Sequence, residues 1–183
     1  MLPSPGGMVR CMSVYFSRVA LKKILFVCTG NTCRSPMAEH LFRGLVAGRR
    51  DVEVASAGVG AMPGQPASKH TAAILKEAGL DSSGFRSQPL TFDLMRQATH
   101  VFAMSLQHLR LIELEFPQMA DKAYLVTEFS PNDAVRGQDV ADPIGGGRAA
   151  YDLTYAMLDA SLPSVLAYVD QTWRPDEATP EQA

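Results

Sequence analysis

The residues best suited to chemistry stand together in one short segment, Cys28-Thr29-Gly30-Asn31-Thr32-Cys33-Arg34-Ser35. It follows an unbroken apolar run at residues 23–27 and precedes a helical pattern at residues 36–46. A loop between a strand and a helix N-terminus binds anions, because its backbone N–H groups point inward and the helix dipole adds positive charge. The segment therefore predicts a phosphate-binding loop.

Cys28 and Arg34 are the candidate catalytic residues of this loop. The guanidinium of Arg34 offers a planar set of donors that can hold two phosphoryl oxygens. The helix N-terminus and the nearby arginine favour thiolate over thiol, and Ser35 is placed to donate a hydrogen bond to the sulfur. A thiolate attacks phosphorus as a nucleophile. The predicted phosphate-binding residues are Thr29, Gly30, Asn31, Thr32, Cys33, Arg34 and Ser35.

The loop differs from two other phosphate-binding motifs. The ATP-binding loop ends in Gly-Lys-Ser/Thr, a triplet that this sequence lacks, and the glycine spacing of the dinucleotide fingerprint is also missing. Gly30 and Asn31 tolerate the unusual backbone angles of a tight anion-binding loop. The alternative interpretation of the segment is a buried cysteine beside a surface arginine.

Attack by a thiolate requires a proton donor for the leaving group. Asp142, in Asp139-Val140-Ala141-Asp142-Pro143, is the candidate, because Pro143 stiffens the turn that presents the carboxylate. An ordinary turn aspartate is the alternative, since Asp-Pro is a frequent turn dipeptide. Asp139 is a competitor for the role of acid, and we expect it to serve the structure of the loop.

Strand patterns alternate with helical patterns along the chain. This alternation predicts an α/β fold in a single domain, with a four-stranded parallel sheet and helices on both faces. Ligands of such sheets bind beyond the carboxyl ends of the strands, where the Cys28 loop begins. Ser35 is the expected N-cap of the first helix, Pro36 its expected first residue, and Pro163 is expected to interrupt the last helix. The predicted strands are residues 23–27, 52–56, 99–104 and 122–126, and the predicted helices are residues 36–46, 68–78, 92–98, 106–115 and 148–173.

Length and composition limit the other possibilities. The chain of 183 residues fits one domain, predicted at residues 21–173 between a flexible N-terminal extension (1–20) and a polar tail (174–183). A formal net charge of -2 argues against nucleic acid as a partner, and no apolar run is long enough to enter a membrane as a span. Three cysteines do not suggest a disulfide scaffold, so we expect a reducing, cytoplasmic setting.

The segment 27–35 and its surroundings resemble the low-molecular-weight protein tyrosine phosphatases. Pro36-Met37-Ala38-Glu39 continues the match, Ser56-Ala57-Gly58 resembles a triplet of that family, and Asp142-Pro143 resembles its general-acid loop. The resemblance implies that Cys28 attacks phosphorus while Asp142 protonates the departing group, which leaves a phosphocysteine. Asp142 then acts as base toward water. The resemblance also implies phosphorylated protein side chains as substrates and no metal or organic cofactor. We expect a monomer.

Within that family the loop is most similar to the protein arginine phosphatases. Tyrosine-directed members carry a bulky aliphatic residue, usually Ile, where this chain has Thr32, whose hydroxyl and shape suit a planar guanidinium better than a phenyl ring. They also tend to carry aromatic residues just after Asp-Pro, whereas this chain has Ile144-Gly145-Gly146. The arginine enzymes have Phe at the position of Ile144. Thr32 and Ile144 are therefore the expected specificity residues.

Three other functions are alternatives to that of a phosphoarginine phosphatase. The first is a tyrosine-directed phosphatase, with the same chemistry on another side chain. The second is an arsenate reductase-like protein, whose loop is similar but whose reaction needs further cysteines downstream, and none follows Cys33 here. The third is a phosphate-binding module without turnover, which the combination of Cys28, Arg34 and Asp142 argues against.

Cys33 and the histidines complete the set of reactive side chains. Cys33 stands five positions after Cys28, and a reversible disulfide between them is the expected response to oxidation, with a buried spectator thiol as the alternative. The histidines lack metal-ligand spacing, so we expect structural or surface roles for them and no metal site. They are His40, His70, His100 and His108.

Overall fold

The computed structural model describes residues 21–173 of the protein. The flexible extension at residues 1–20 and the polar tail at residues 174–183, both predicted from the sequence, lie outside the described residues. Among the helices of residues 21–173, none has the length and apolar character that a membrane crossing requires.

One parallel sheet of four strands organises the described chain. The strands lie in the order β2-β1-β3-β4, and every neighbouring pair is parallel, which confirms the predicted sheet. Its two central strands are buried because their side chains are apolar on both faces, as expected for a sheet covered on both sides. The strands are β1 (Lys22–Cys28), β2 (Val52–Gly58), β3 (His100–Ala103) and β4 (Ala123–Leu125).

Helices cover both faces of the sheet and create two apolar cores. On one face, α1 and α5 pack on alternate residues of β1, with Phe26 at the centre of an aromatic cluster. On the other face, Leu25 and Val27 face a smaller core that includes Met95 of α3 and Ile112 of α4. The helices are α1 (Arg34–Leu45), α2 (Lys69–Glu77), α3 (Phe92–Gln97), α4 (Leu106–Glu115) and α5 (Arg148–Thr172), and Pro117–Lys122 forms a 3-10 helix.

The start of α1 differs from the prediction. The helix begins at Arg34, and its N-cap is Cys33, which makes no side-chain capping bond, so the expectation that Ser35 caps this helix is wrong. The hydroxyl of Ser35 is instead used inside the loop, 3.0 Å from the sulfur of Cys28. Pro36 is tolerated at the third helical position because the first four N–H groups of a helix have no intrahelical acceptor.

The last helix has the predicted extent but lacks the predicted interruption. Pro163 lies inside α5, which continues unbroken from Arg148 to Thr172, so the predicted interruption is wrong. A proline removes one hydrogen bond, here to the carbonyl of Asp159. Both residues are exposed, and water can bind that carbonyl. The opposite side of the helix keeps its apolar contacts through Leu158, Leu162 and Val165.

A cluster of charged side chains ties α5 to the amino-terminal ends of β1 and β2. Arg49 donates to both oxygens of Asp170 at 2.8 Å and to Asp51 at 2.6 Å and 3.0 Å, and Lys22 donates to the same two carboxylates. The hydrogen bonds from Arg49, followed by that from Lys22, lower the pKa of Asp170 to about 2. This cluster therefore stabilises the folded state only while its carboxylates are ionised.

We expect the substitution Asp170→Asn to lower the melting temperature at neutral pH and to have a much smaller effect at pH 2. The folded-state pKa of Asp170 lies below the usual value of about 3.9, so its contribution is complete above that value and is lost as the pH falls through about 2. The partly exposed carboxylate contributes about 1 kcal/mol or less. Thermal melting between pH 2 and 7 measures the effect. Asp159→Asn, on the exposed side of the same helix, is the control, and equal losses for both variants at neutral pH would contradict the assignment.

Candidate active site

The site lies at the carboxyl ends of β1 and β3. From β1 the chain moves outward to β2 and then crosses back to β3 on the other side, so the strand order reverses between β1 and β3. Open parallel sheets bind ligands in the crevice at such a reversal. Cys28 is the last residue of β1 and pairs in register with Gly58 at the end of β2. The loop 29–33 then leads directly into α1.

The sulfur of Cys28 receives hydrogen bonds from within its own loop. Its Sγ is 3.0 Å from the Oγ of Ser35 and accepts from the backbone N–H of Asn31 at 3.3 Å. The Oγ of Ser35 accepts from the side chain of Asn31 at 2.9 Å, so its hydroxyl hydrogen is available to the sulfur, which is closer than the other acceptor, the carbonyl of Ala57 at 3.4 Å. Cys28 is 2% exposed. Hydrogen bonds of this kind stabilise negative charge on a buried sulfur.

Asn31 holds the loop in its unusual conformation. Its φ is 52°, a left-handed angle that asparagine tolerates better than most residues. Gly30 has no positive φ, so the special backbone angle expected at both residues is found at Asn31 alone. The Nδ2 of Asn31 donates to Ser35 at 2.9 Å and to Ser56 at 2.8 Å, and its Oδ1 accepts from the N–H of Gln88 at 2.9 Å. Every polar atom of this fully buried side chain is therefore bonded.

The partners of Asn31 extend the hydrogen-bond network beyond the loop. Ser56 of β2 donates to the buried carboxylate of Glu39 in α1, and Glu39 is paired with Arg43 at 2.6 Å. Gln88 also donates from its side chain to the carbonyl of Ser56 at 3.0 Å. We did not predict Glu39 or Gln88 as part of the site. Ser56 was predicted only as part of a family triplet. A small polar side chain at the end of the predicted second strand was the sequence signal for its role in the site.

Arg34 connects the Cys28 loop to the Asp142 loop. Its Nη2 lies 2.5 Å from the Oδ2 of Asp142, and its Nη1 donates to the carbonyl of Val140 at 3.1 Å. Arg34 is buried, whereas the side chain of Asp142 is 41% exposed. The second carboxylate oxygen of Asp142 accepts from the N–H of Ile144 at 3.2 Å. The fold therefore brings together the two predicted residues from loops that are 108 positions apart.

The Asp142 loop is held against the start of α4. The N–H of Val140 donates to the carbonyl of Met104 at 2.8 Å, and Asp139 accepts from the N–H of Leu106, also at 2.8 Å. Asp139 therefore serves the structure of the loop, as expected from the sequence. Asp142 itself remains free of backbone anchors on the oxygen that faces Arg34.

Thr32 and Cys33 have different surroundings within the loop. Thr32 is half-buried, and its carbonyl accepts from the N–H of Ser68 at 2.8 Å. The Sγ of Cys33 lies 3.4 Å from the hydroxyl of Tyr151 in α5 and 3.6 Å from the Oγ1 of Thr32. Both Cys28 and Cys33 are buried free thiols. Ile144, the other predicted specificity residue, is 70% exposed on the Asp142 loop.

His108 contacts the loop, although the sequence indicated only a structural or surface role for it. Its Nε2 is 2.9 Å from the Oγ1 of Thr29, and its Nδ1 is 2.7 Å from the Oγ of Ser105, the N-cap of α4. Burial, with a smaller contribution from the charge of Arg34, lowers the pKa of His108 to about 4. The imidazole is therefore neutral at pH 7. Within residues 21–173, no three histidine, cysteine or acidic side chains are grouped as metal ligands would be.

A protein-family model described as low molecular weight phosphotyrosine protein phosphatase matches residues 23–174. The chain belongs to this family. A protein-arginine-phosphatase of Geobacillus stearothermophilus is 43% identical over 142 residues, which cover 75% of this chain and 91% of that relative. The protein-arginine-phosphatase of Bacillus subtilis (strain 168) is 41% identical, with 76% of this chain and 91% of that relative covered.

The curated relatives compared that have tyrosine in their names are less identical in sequence to this chain. A probable low molecular weight protein-tyrosine-phosphatase of Ralstonia solanacearum, EpsP, is 33% identical and covers 80% of this chain and 98% of its own length. A solved structure of the arginine phosphatase YwlE, a variant with a phosphorylated active-site serine, has a TM-score of 0.75 at 36% identity and covers 84% of this chain and 99% of that chain. The predicted family, and the resemblance to its arginine phosphatase branch, are thereby confirmed.

We expect Gly58→Ala to disrupt the loop and Gly60→Ala to leave it intact. A Cβ at Gly58 would lie 2.4 Å from the carbonyl oxygen of Thr29 and 2.9 Å from the N of Asn31, whereas a Cβ at Gly60 would meet nothing closer than 3.9 Å. The crowded variant should lose about 1–3 kcal/mol of unfolding free energy together with its affinity for inorganic phosphate. Urea unfolding and phosphate titration measure both quantities. Equal behaviour of the two variants would contradict this account of the loop.

Proposed function

We propose that this protein hydrolyses phosphoarginine in proteins through a phosphocysteine formed on Cys28. The observation that carries the proposal is the pair of hydrogen bonds to the sulfur of Cys28, from Ser35 at 3.0 Å and Asn31 at 3.3 Å, at the N-terminus of α1. A sulfur that is held by hydrogen bonds at a helix N-terminus is placed to act as the nucleophile toward phosphorus. The relatives named arginine phosphatases support the choice of substrate.

In the first step, the thiolate of Cys28 attacks phosphorus in line with the bond to the arginine nitrogen. The S–P bond forms as the P–N bond breaks, and the electron pair of that bond goes to the departing nitrogen. Asp142, in its protonated form, gives its proton to that nitrogen, so that the phosphorylated guanidinium departs as an ordinary guanidinium and Asp142 is left as the carboxylate. Charge on the phosphoryl oxygens is stabilised by Arg34 and the inward N–H groups of the loop, and this matters most in the transition state.

In the second step, water attacks the phosphorus of the phosphocysteine. The carboxylate of Asp142 accepts a proton from this water, the new O–P bond forms, and the S–P bond breaks with its electrons returning to the sulfur of Cys28. Inorganic phosphate leaves, and Asp142 is protonated again for the next cycle. The sequence of proton transfers closes on Asp142 and requires no metal or organic cofactor.

The contact between Arg34 and Asp142 implies that the phosphoryl group binds before Asp142 reaches the leaving nitrogen. The Nη2 of Arg34 is bound to the carboxylate of Asp142 at 2.5 Å, while its Nη1 is anchored on Val140. A phosphoryl group that binds Arg34 replaces this carboxylate. The exposed Asp142 then becomes free to face the leaving nitrogen, so substrate binding itself moves the acid from the arginine to the reacting bond.

Thr32 and Ile144 carry the proposed preference for phosphoarginine. Thr32 puts a hydroxyl beside the phosphate where tyrosine-directed relatives have a bulky aliphatic side chain. After Asp142-Pro143, Ile144 is exposed and is followed by Gly145 and Gly146, so this loop supplies no aromatic ring to sandwich a phenyl group. A guanidinium, which is planar and polar, needs hydrogen-bond partners more than an aromatic wall.

A tyrosine-directed phosphatase is the second candidate, favoured by the family description and by the similarity to EpsP. An arsenate reductase-like activity is disfavoured, because no cysteine follows Cys33 in the sequence.

A disulfide between Cys28 and Cys33 stays a prediction. The two cysteines are close enough in sequence for such a disulfide. The sulfur of Cys33 is in contact with the hydroxyl of Tyr151.

We expect peptides with phosphoarginine to be hydrolysed with at least about tenfold higher kcat/KM than matched peptides with phosphotyrosine, a difference of roughly 1.4 kcal/mol in transition-state binding. Release of inorganic phosphate from the two peptides, assayed side by side, measures the ratio. Cys28→Ser is the control for phosphate released by other routes. A clear preference for phosphotyrosine would transfer the proposal to the second candidate.

The substitution Thr32→Ile should shift the preference toward phosphotyrosine. It removes the hydroxyl and introduces the bulky side chain that suits a phenyl ring, and we expect the kcat/KM ratio of the two peptides to change by about tenfold or more, a typical effect of altering one contact in a pocket. Thr32→Ser keeps the hydroxyl and serves as the matched control. An unchanged ratio in Thr32→Ile would remove Thr32 from the specificity residues.

The substitution Asp142→Asn should lower kcat by about 10²–10⁴-fold, which is the usual contribution of a positioned acid and base. Asn cannot supply or accept the proton, although it keeps the shape of the side chain. Asp159→Asn, which changes an exposed aspartate of α5, should retain wild-type kcat. Steady-state kinetics on the phosphoarginine peptide separates the two variants, and a wild-type kcat in Asp142→Asn would exclude it as the acid.

A further inference from the structure

His108 joins the start of α4 to the residue that follows Cys28. It is a buried side chain, 3% exposed, with an oxygen partner on each ring nitrogen. The Nε2 is 2.9 Å from the Oγ1 of Thr29, and the Nδ1 is 2.7 Å from the Oγ of Ser105. Neither the proton transfers nor the phosphate contacts described above use this side chain, although it lies against the loop.

The hydrogen atoms of Ser105 decide which nitrogen of His108 is protonated. The Oγ of Ser105 already accepts from the backbone N–H of His108 at 3.3 Å. Its own hydroxyl hydrogen needs an acceptor, because Ser105 is 7% exposed, and Nδ1 is the acceptor that residues 21–173 place within reach. A neutral imidazole that accepts at Nδ1 carries its hydrogen at Nε2. His108 therefore donates to the Oγ1 of Thr29.

This direction of donation determines where the hydroxyl of Thr29 points. The oxygen accepts from His108 on one side, so its own hydrogen is directed away from the imidazole. The backbone of Thr29 is fixed as well, because its carbonyl accepts from the N–H of Gly60 at 2.9 Å. Thr29 is exposed, so its hydroxyl hydrogen is available to an acceptor on the solvent side of the loop.

We propose that His108 is a positioning residue that, given the phosphatase activity proposed above, turns the hydroxyl of Thr29 toward an oxygen of the bound phosphosubstrate. Thr29 touches the substrate, and His108 acts only through Thr29. His108 therefore increases kcat/KM only when residue 29 carries a hydroxyl. A purely structural histidine would contribute equally whichever side chain stood at that position.

The test is a double-mutant cycle on kcat/KM for the phosphoarginine peptide, with Thr29→Val and His108→Ala. Valine keeps the shape of threonine without the hydroxyl. We expect each single variant to lose about 3- to 10-fold, as for one hydrogen bond, and the double variant to lose no more than about twofold beyond either single one, because the two residues form a single unit.

Two further variants separate positioning from folding. His108→Gln places an amide N–H where Nε2 was, so it should recover most of the kcat/KM lost in His108→Ala. His100→Ala removes another buried histidine, which bonds Thr172 at the opposite end of β3, and it should lower the melting temperature while keeping kcat/KM. Circular dichroism melts of every variant identify any that fails to fold. If His108→Ala fails, His108→Asn replaces it in the cycle, because its shorter amide can still accept from Ser105 but does not reach Thr29.

The outcomes distinguish this inference from the proposed function. A wild-type protein with no activity on either peptide would overturn the proposed function and this inference with it. An active wild-type protein in which the effects of Thr29→Val and His108→Ala multiply would overturn the inference alone, as would wild-type kcat/KM in Thr29→Val. Coupled losses together with rescue by His108→Gln support it.

Discussion

The left-handed backbone of Asn31 is the constraint on which the site depends. A φ of 52° is unfavourable for a residue with a side chain and persists only where surrounding contacts over-determine it. Here three side-chain hydrogen bonds reach Asn31 from α1, β2 and the N–H of Gln88. They curl the loop so that the N–H of Asn31 itself donates to the sulfur of Cys28. The same side chain thus shapes the loop and orients Ser35 toward that sulfur.

The start of α4 is the second point at which separate loops meet. Ser105 and His108 reach the Cys28 loop through Thr29, and the N–H of Leu106 binds Asp139 from the loop that carries Asp142. Both loops are therefore held by one rigid element in addition to their links through Arg34. Of the two links through Arg34, the one to the Val140 carbonyl is buried, whereas the one to Asp142 ends on an exposed carboxylate. The carboxylate can therefore move while its loop stays in place.

Local patterns in the sequence predicted the sheet, the helices and the principal side chains of the site, because strands, helix starts and the curled loop all depend on near neighbours. Two errors arose where a tertiary contact overrode a local preference. Ser35 contacts Cys28 instead of capping α1, and Pro163 is tolerated on an exposed helix face. Gln88 and His108 were not foreseen, since each reaches the loop from more than fifty positions away and no spacing rule connects such residues.

The long-range partners of Asn31 also determine when the chain becomes reactive. Its hydrogen bonds join residues 25 and 57 positions apart, and contacts with such separation form only after the loss of entropy in closing long loops has been compensated by other contacts. Before β2 and residues 87–90 have docked, Asn31 has only its local bond to Ser35, and the other two side-chain bonds that hold the curl are missing. The full set of hydrogen bonds around Cys28 is therefore completed only together with the sheet, so a partly unfolded chain does not yet hold the assembled site.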